Sequence, residues 1–79
     1  MRYVYILRSL SEPEKYYTGQ TTNLKQRLTD HNAAKVLHTS KFVPWELKTY
    51  IAFSDEEQAL AFEKYLKTAS GRALAKKRL

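Results

Sequence analysis

The sequence predicts a small α+β domain, a three-stranded sheet of antiparallel or mixed pairing flanked by helices. Three observations predict it. Stretches rich in β-branched and aromatic residues occur over residues 2–8, 15–20 and 45–53. Apolar residues spaced by three and four occur instead over 23–34 and 54–69. The first two strand-like stretches are separated only by a short polar segment containing Pro13, the length of a hairpin connection.

Taken in order, residues 2–8 place Tyr3, Tyr5 and Leu7 on one face and Val4 and Ile6 on the other. Both faces are apolar, which puts this strand in the middle of the sheet. Residues 15–20 return antiparallel, so Tyr17 comes near Tyr5, and Gly19 permits a bend or a close approach where the strand ends. Asn23 is a favoured N-cap. In the helix it opens, over 23–34, Leu24 and Leu28 form an apolar stripe, with Arg27 and His31 one turn apart beside it. Such an Arg/His pair can hold an anionic group.

Residues 35–44 read as an irregular basic loop carrying Lys35, His38 and Lys41. Pro44 blocks a helix there and holds Val43 extended. In the third strand Trp45, Leu47, Thr49, Ile51 and Phe53 are expected to face the core, with Glu46, Lys48, Tyr50 and Ala52 outward. Ser54 and Glu57 have the form of a capping box. The helix they open is expected to run to about Ala69 and to pack through Ala59, Phe62, Leu66 and Ala69. Ser70-Gly71 reads as its interruption, and residues 72–79 as a short helix or basic tail.

Seventy-nine residues predict one domain, 1–79, with a modest core and a stability on the order of 4–12 kcal/mol. The absence of cysteine excludes disulfides and thiolate metal sites. With no apolar run approaching the ~20 residues of a membrane span and no leader-like N-terminus, a cytoplasmic location without membrane contact is expected. Fourteen Lys/Arg against eight Asp/Glu, a net charge of +6, suit a polyanion such as nucleic acid. A solubilising basic surface would carry the same charge. A zinc site has only two imidazoles to draw on. Neither a glycine-rich phosphate loop nor a serine or cysteine nucleophile signature is present.

Five side chains can carry chemistry, each with a plainer alternative. The hydroxyls of Tyr5 and Tyr17 can hold or deprotonate a water, or simply tip two sheet aromatics. Arg27 offers a permanently charged fork matched to phosphate oxygens, or else a surface ion pair with Asp30. His31 titrates near neutrality, so it can relay a proton or bind phosphate, or stand idle on a helix face. Glu63 lies at the edge of the buried stripe of its helix, where a carboxylate needs a partner. Lys67, one turn on, is one candidate. A divalent cation, held by one carboxylate with waters and substrate phosphates, is the other.

In this order and spacing these residues resemble the GIY-YIG nuclease family. Val4-Tyr5-Ile6-Leu7 is similar to its first motif, Tyr17-Thr18-Gly19 to its second, and Leu24…Arg27-Leu28…His31 to the helix bearing its arginine. Glu63 stands where the family places a metal-binding glutamate. The likeness spans nearly the whole chain and is closest to small stand-alone members, with a similar Gly71-Arg72…Lys76-Lys77-Arg78 ending. Tyr3 replaces the usual first-motif glycine, and the asparagine some larger members carry after the metal helix has no counterpart.

The resemblance implies a metal-dependent endonuclease acting on DNA phosphodiester bonds, in repair or recombination. Glu63 would bind Mg²⁺ or Mn²⁺. Tyr5, helped by Tyr17 or His31, would orient or deprotonate the attacking water, with Arg27 and the metal favouring its phenolate. Arg27 would stabilise phosphoryl charge. Phosphate positioning would fall to Lys67 or Arg72, and Lys35, His38, Lys41 and Lys76 would add nucleic-acid contacts. RNA, a protein partner and a homodimer all remain open, as does a non-catalytic nucleic-acid-binding module on the same fold.

Overall fold

Strand β1 (Arg2–Ser9) occupies the centre of the sheet because its two faces bury different halves of the core. The computed structural model describes residues 1–79, and β1 pairs antiparallel with both β2 (Tyr16–Thr21) and β3 (Trp45–Phe53), in the order β2-β1-β3. Helix α1 (Leu24–Asn32) follows β2, a 3-10 helix (Leu37–Phe42) precedes β3, and α2 (Glu56–Leu66) and α3 (Ala69–Arg78) complete the chain. Val4 and Ile6 pack with Ala59 and Leu66 of α2, walled by Phe53 and Phe62. Tyr5 and Leu7 pack on the other face with Trp45, Leu24 and Leu28. The sheet is therefore sandwiched, with α1 and the 3-10 helix on one side and α2 and α3 on the other.

The alternation expected of β3 is real but serves two layers. Thr49 lies opposite Ile6, whereas Leu47 lies opposite Leu7, so Lys48 is an extra residue in a β-bulge. Before the bulge, Trp45 and Leu47 join the α1-side cluster. Beyond it, Ile51 lies opposite Val4 and Phe53 packs on the α2 side. The expected single core-facing set is thus divided, because one extra residue exchanges the faces of a period-two strand.

Asn23 caps α1, its side chain accepting from the Gln26 N–H. The helix ends slightly short of the expected 34. Lys35 N–H donates to the Asp30 carbonyl and Ala34 N–H to that of His31, a Schellman ending in which Ala34 takes the left-handed conformation (φ 59°). The expected irregular loop after it contains the 3-10 turn, which holds Thr39 inward. Val43 is extended as expected.

Two expectations about α2 are corrected. Its cap is Asp55, accepting from Glu57 N–H, not Ser54 in a capping box. It also ends at Leu66, before Ala69, which is exposed. The break falls at Lys67-Thr68, where the Thr68 hydroxyl accepts from Gly71 N–H and opens α3. Ser70-Gly71 is therefore the first turn of a helix, not an interruption. Gly71 is buried because α3 crosses directly over the end of α2: a Cβ there would collide with the Tyr65 carbonyl group and with Leu66 Cα. Those are backbone atoms with little freedom to move. Gly71→Ala is expected to destabilise the fold by about 1–3 kcal/mol, read as a lower urea midpoint at unchanged m-value.

Candidate active site

Four of the five singled-out side chains meet on the α1 face. Tyr5, from the central strand, lies beneath α1 with its hydroxyl 3.0 Å from His31 Nε2 and 3.4 Å from Arg27 Nε. The Tyr17 ring packs 5.0 Å from the His31 ring and 6.4 Å from that of Tyr5. Gly19 explains how the phenol fits: a Cβ at this position would lie 2.6 Å from the Tyr5 hydroxyl. The expected close approach at Gly19 is thus an approach by Tyr5, and no glycine has positive φ.

Behind this cluster runs a chain of hydrogen bonds. Thr39 Oγ1 donates to the Val36 carbonyl and lies 2.8 Å from His31 Nδ1. The Thr39 proton being used, Nδ1–H donates to Thr39, which leaves Nε2 bare to accept from Tyr5 O–H. One tautomer thereby satisfies every contact. Arg27 in turn donates to the Tyr5 oxygen. Nothing in the local sequence marked Thr39 for this role, since its burial depends on the 3-10 turn.

Burial sets the electrostatics. It raises the Tyr5 pKa above 10, outweighing the Arg27 hydrogen bond, with repulsion from Tyr17 and Glu63 adding to the rise. Arg27 favours the phenolate as expected, through both its hydrogen bond and its charge, but burial outweighs it and Tyr5 stays protonated. Burial, reinforced by the Arg27 charge, lowers the His31 pKa and keeps the ring neutral. Arg27 is held charged chiefly by its bond to Tyr5. Its plainer alternative is not adopted, because Asp30 takes a hydrogen bond from Gln26 instead. His31 is fully buried. It therefore cannot bind phosphate directly, and its place between Thr39 and Tyr5 suits proton relay.

The lowered His31 pKa has a stability consequence. Below about pH 6.5 the unfolded chain binds a proton that the folded chain resists. Stability is therefore lost as pH falls from about 6.5 through the folded-state value, and is retained above that window. In His31→Gln this part of the acid loss should vanish, as measured by urea midpoints at a series of pH values. An unchanged slope would contradict the burial argument.

Glu63 approaches from the other face. Its Oε1 accepts from Gln20 Nε2 at 3.1 Å and its Oε2 lies 3.1 Å from Lys67 Nζ, with the side chain only 13% exposed. Gln20 follows Gly19 directly, so the carboxylate and the Tyr5 hydroxyl reach adjacent residues of the same strand from opposite sides. The Glu63 charge is felt at Tyr5, where it adds the smallest of the contributions to the raised pKa. Gln20 was not singled out by sequence reasoning, although its position opposite Val4 puts it on the α2 face.

The remaining basic residues divide. Lys67, Arg72 and Lys76 line a cavity on the α2–α3 side. Lys35, His38 and Lys41 are exposed on the segment after α1 and do not line it.

A central strand delivering a phenol to an arginine and a histidine of the next helix, with a glutamate arriving across the strand edge, defines a catalytic domain of nuclease type. The chain belongs to the GIY-YIG family: the model of the GIY-YIG catalytic domain matches residues 1–78. It is 35% identical over 72 residues to a UPF0213 protein of Streptococcus pyogenes serotype M3, covering 90% of this chain and 76% of that protein. It is 37% identical over 67 residues to the structure-specific endonuclease subunit SLX1 of Debaryomyces hansenii. That match covers 76% of this chain but spans only 19% of the yeast protein.

Proposed function

We propose that this chain is a divalent-metal-dependent endonuclease that hydrolyses DNA phosphodiester bonds. The observation that carries the proposal is the Tyr5 hydroxyl held between a neutral His31 Nε2 and the Arg27 guanidinium, beside the strand edge that Glu63 reaches. Tyr5 is itself only 2% exposed, so a water must enter beside the half-buried Arg27 to donate to the phenol oxygen. There it can lose its proton as the phenol passes its own to His31, and no standing phenolate is needed. Thr39 holds the imidazole in the accepting tautomer. Arg27, half-buried, supplies positive charge where the phosphoryl oxygens gain negative charge. The yeast relative's name supports endonuclease action, and its being a subunit fits a protein partner or a second copy here.

The donor set fits a hard cation. Glu63 offers a carboxylate, and the neighbouring Gln20 Oε1 is buried with no hydrogen-bond partner. No cluster of three His, Asp or Glu side chains exists anywhere in the chain, so water and phosphate oxygens must complete the shell, as is usual for Mg²⁺. Mn²⁺ would serve equally. When bound, the cation supplies Lewis-acid stabilisation of phosphate charge. Lys67 must release the carboxylate as it binds.

That ion pair is also the observation favouring a second reading, a non-catalytic nucleic-acid-binding module in which Lys67 permanently neutralises Glu63. Plasmid nicking in Mg²⁺, Mn²⁺ or EDTA separates the two. Nicking only with metal is expected, and Arg27→Ala should slow it by about 10²–10³-fold with an unchanged circular dichroism spectrum. Binding without cutting in any metal selects the module. No helix is long and apolar enough to cross a membrane. A cytoplasmic role in repair or recombination belongs to the same proposal.

A further inference from the structure

A cavity of about 820 Å³ opens between the β1–β2 hairpin and α3, reaching the α2-side residues Ile6 and Leu66 and also lined by Tyr17. Five cations line it, Arg8, Lys48, Lys67, Arg72 and Lys76, against the single carboxylate Glu14. They come from β1, β3, the α2–α3 junction and α3, so the concentration of charge is a product of the fold. The floor is apolar, with Ile6, Leu66 and Ala75. Tyr16, half-exposed, stands on the rim.

Strand register connects this trough to the candidate active site. The same-face pairs Val4–Gln20, Ile6–Thr18 and Arg8–Tyr16 follow one another along β1 and β2. Glu63 is bonded at the first of these pairs and the trough is lined by the other two. Four residues of β2, about 13 Å, therefore lead from the carboxylate to the rim tyrosine. Lys67 belongs to both ends, pairing with Glu63 and lining the cavity. The β3 bulge contributes as well. A regular strand would place one residue opposite Ile6; the bulge adds Lys48 beside Thr49, and Lys48 lines the trough.

We propose that this trough is the track for one unpaired DNA strand running from the scissile phosphate. The proposal rests on the nuclease reading for the position of the cut and adds the form of the substrate beside it. An apolar floor and an aromatic rim offer surfaces to unstacked bases, while flanking cations hold the phosphates, the combination that single strands use. A duplex keeps its bases stacked inward and could touch only the rim charges. No array of side-chain amides lines the trough, so it tracks the backbone with little base preference.

The test is fluorescence anisotropy in EDTA with an end-labelled oligothymidylate and, separately, a blunt duplex. Lys48→Glu/Lys76→Glu should weaken oligothymidylate binding tenfold or more. It should also flatten the plot of log affinity against log salt by about 1.4, from ~0.7 for each lost contact. Tyr16→Ala should weaken it about fivefold or more. Duplex binding should change no more than it does in Lys25→Glu, a reversal on the exposed surface of α1. Unchanged oligothymidylate binding, an equal loss for the duplex, or an equal effect of Lys25→Glu would each overturn the proposal. Should the reversals unfold the protein, Lys48→Gln/Lys76→Gln carries the same test at half the charge change. Metal is absent from this assay, so its outcome is independent of cutting. Expected binding without nicking sinks the nuclease reading alone, and nicking without the binding pattern sinks the track alone.

Discussion

Tyr5→Phe is expected to slow nicking by about 10²–10⁴-fold, the range for losing a positioned acid–base group. The substitution removes one oxygen and no packing volume, so the ring still fills the space over Gly19. What disappears is the only atom that touches both His31 Nε2 and Arg27 Nε. The fold should survive with a modest penalty, about 1–3 kcal/mol for leaving buried Nε2 without a donor. Single-turnover nicking beside a urea titration separates the two effects. Full activity in Tyr5→Phe would transfer the role to Tyr17, whose ring faces the same imidazole.

Glu63→Ala should abolish metal-stimulated nicking yet leave DNA binding in EDTA intact or tighter. The reason lies in the Lys67–Glu63 ion pair. Removing the carboxylate frees an ammonium that already lines the basic trough, so one more phosphate contact becomes available and the salt slope steepens by about 0.7–0.9. A residue with a purely structural role would behave differently, binding and cutting falling together as the protein unfolds. Lys67→Ala completes the comparison: it should weaken binding while leaving Glu63 free to take a cation.

Much of this was legible because it is local. Asn23 as a cap, the helix spacing of Arg27 and His31, and the proximity of Tyr5 to Tyr17 follow from strand and helix periods that short stretches of chain enforce. Other features were misread for an equally physical reason. Ser54 and Asp55 are both competent caps, and only the geometry of the turn leaving β3 chooses between them. Gly71 looks like a helix breaker from the sequence, whereas it is a contact point between two helices that no one-dimensional pattern reveals. His31 looked able to bind phosphate as well as to relay a proton, because a helical wheel does not show that a 3-10 turn eight residues later will cover it.

By itself the sequence determined the class of fold, the central place of the first strand and the inventory of phenols, guanidinium, imidazole and carboxylate, since hydrophobic period and side-chain chemistry are properties of neighbouring residues. Only the tertiary structure decided how those groups are charged and which share a surface: a buried phenol kept protonated, a neutral histidine anchored by Thr39, a glutamate reaching the strand edge from the opposite layer, and five cations gathered by a bulge and a helix crossing. Burial and long-range proximity arise when separate elements pack, and a residue's desolvation is set by neighbours that lie far from it along the chain.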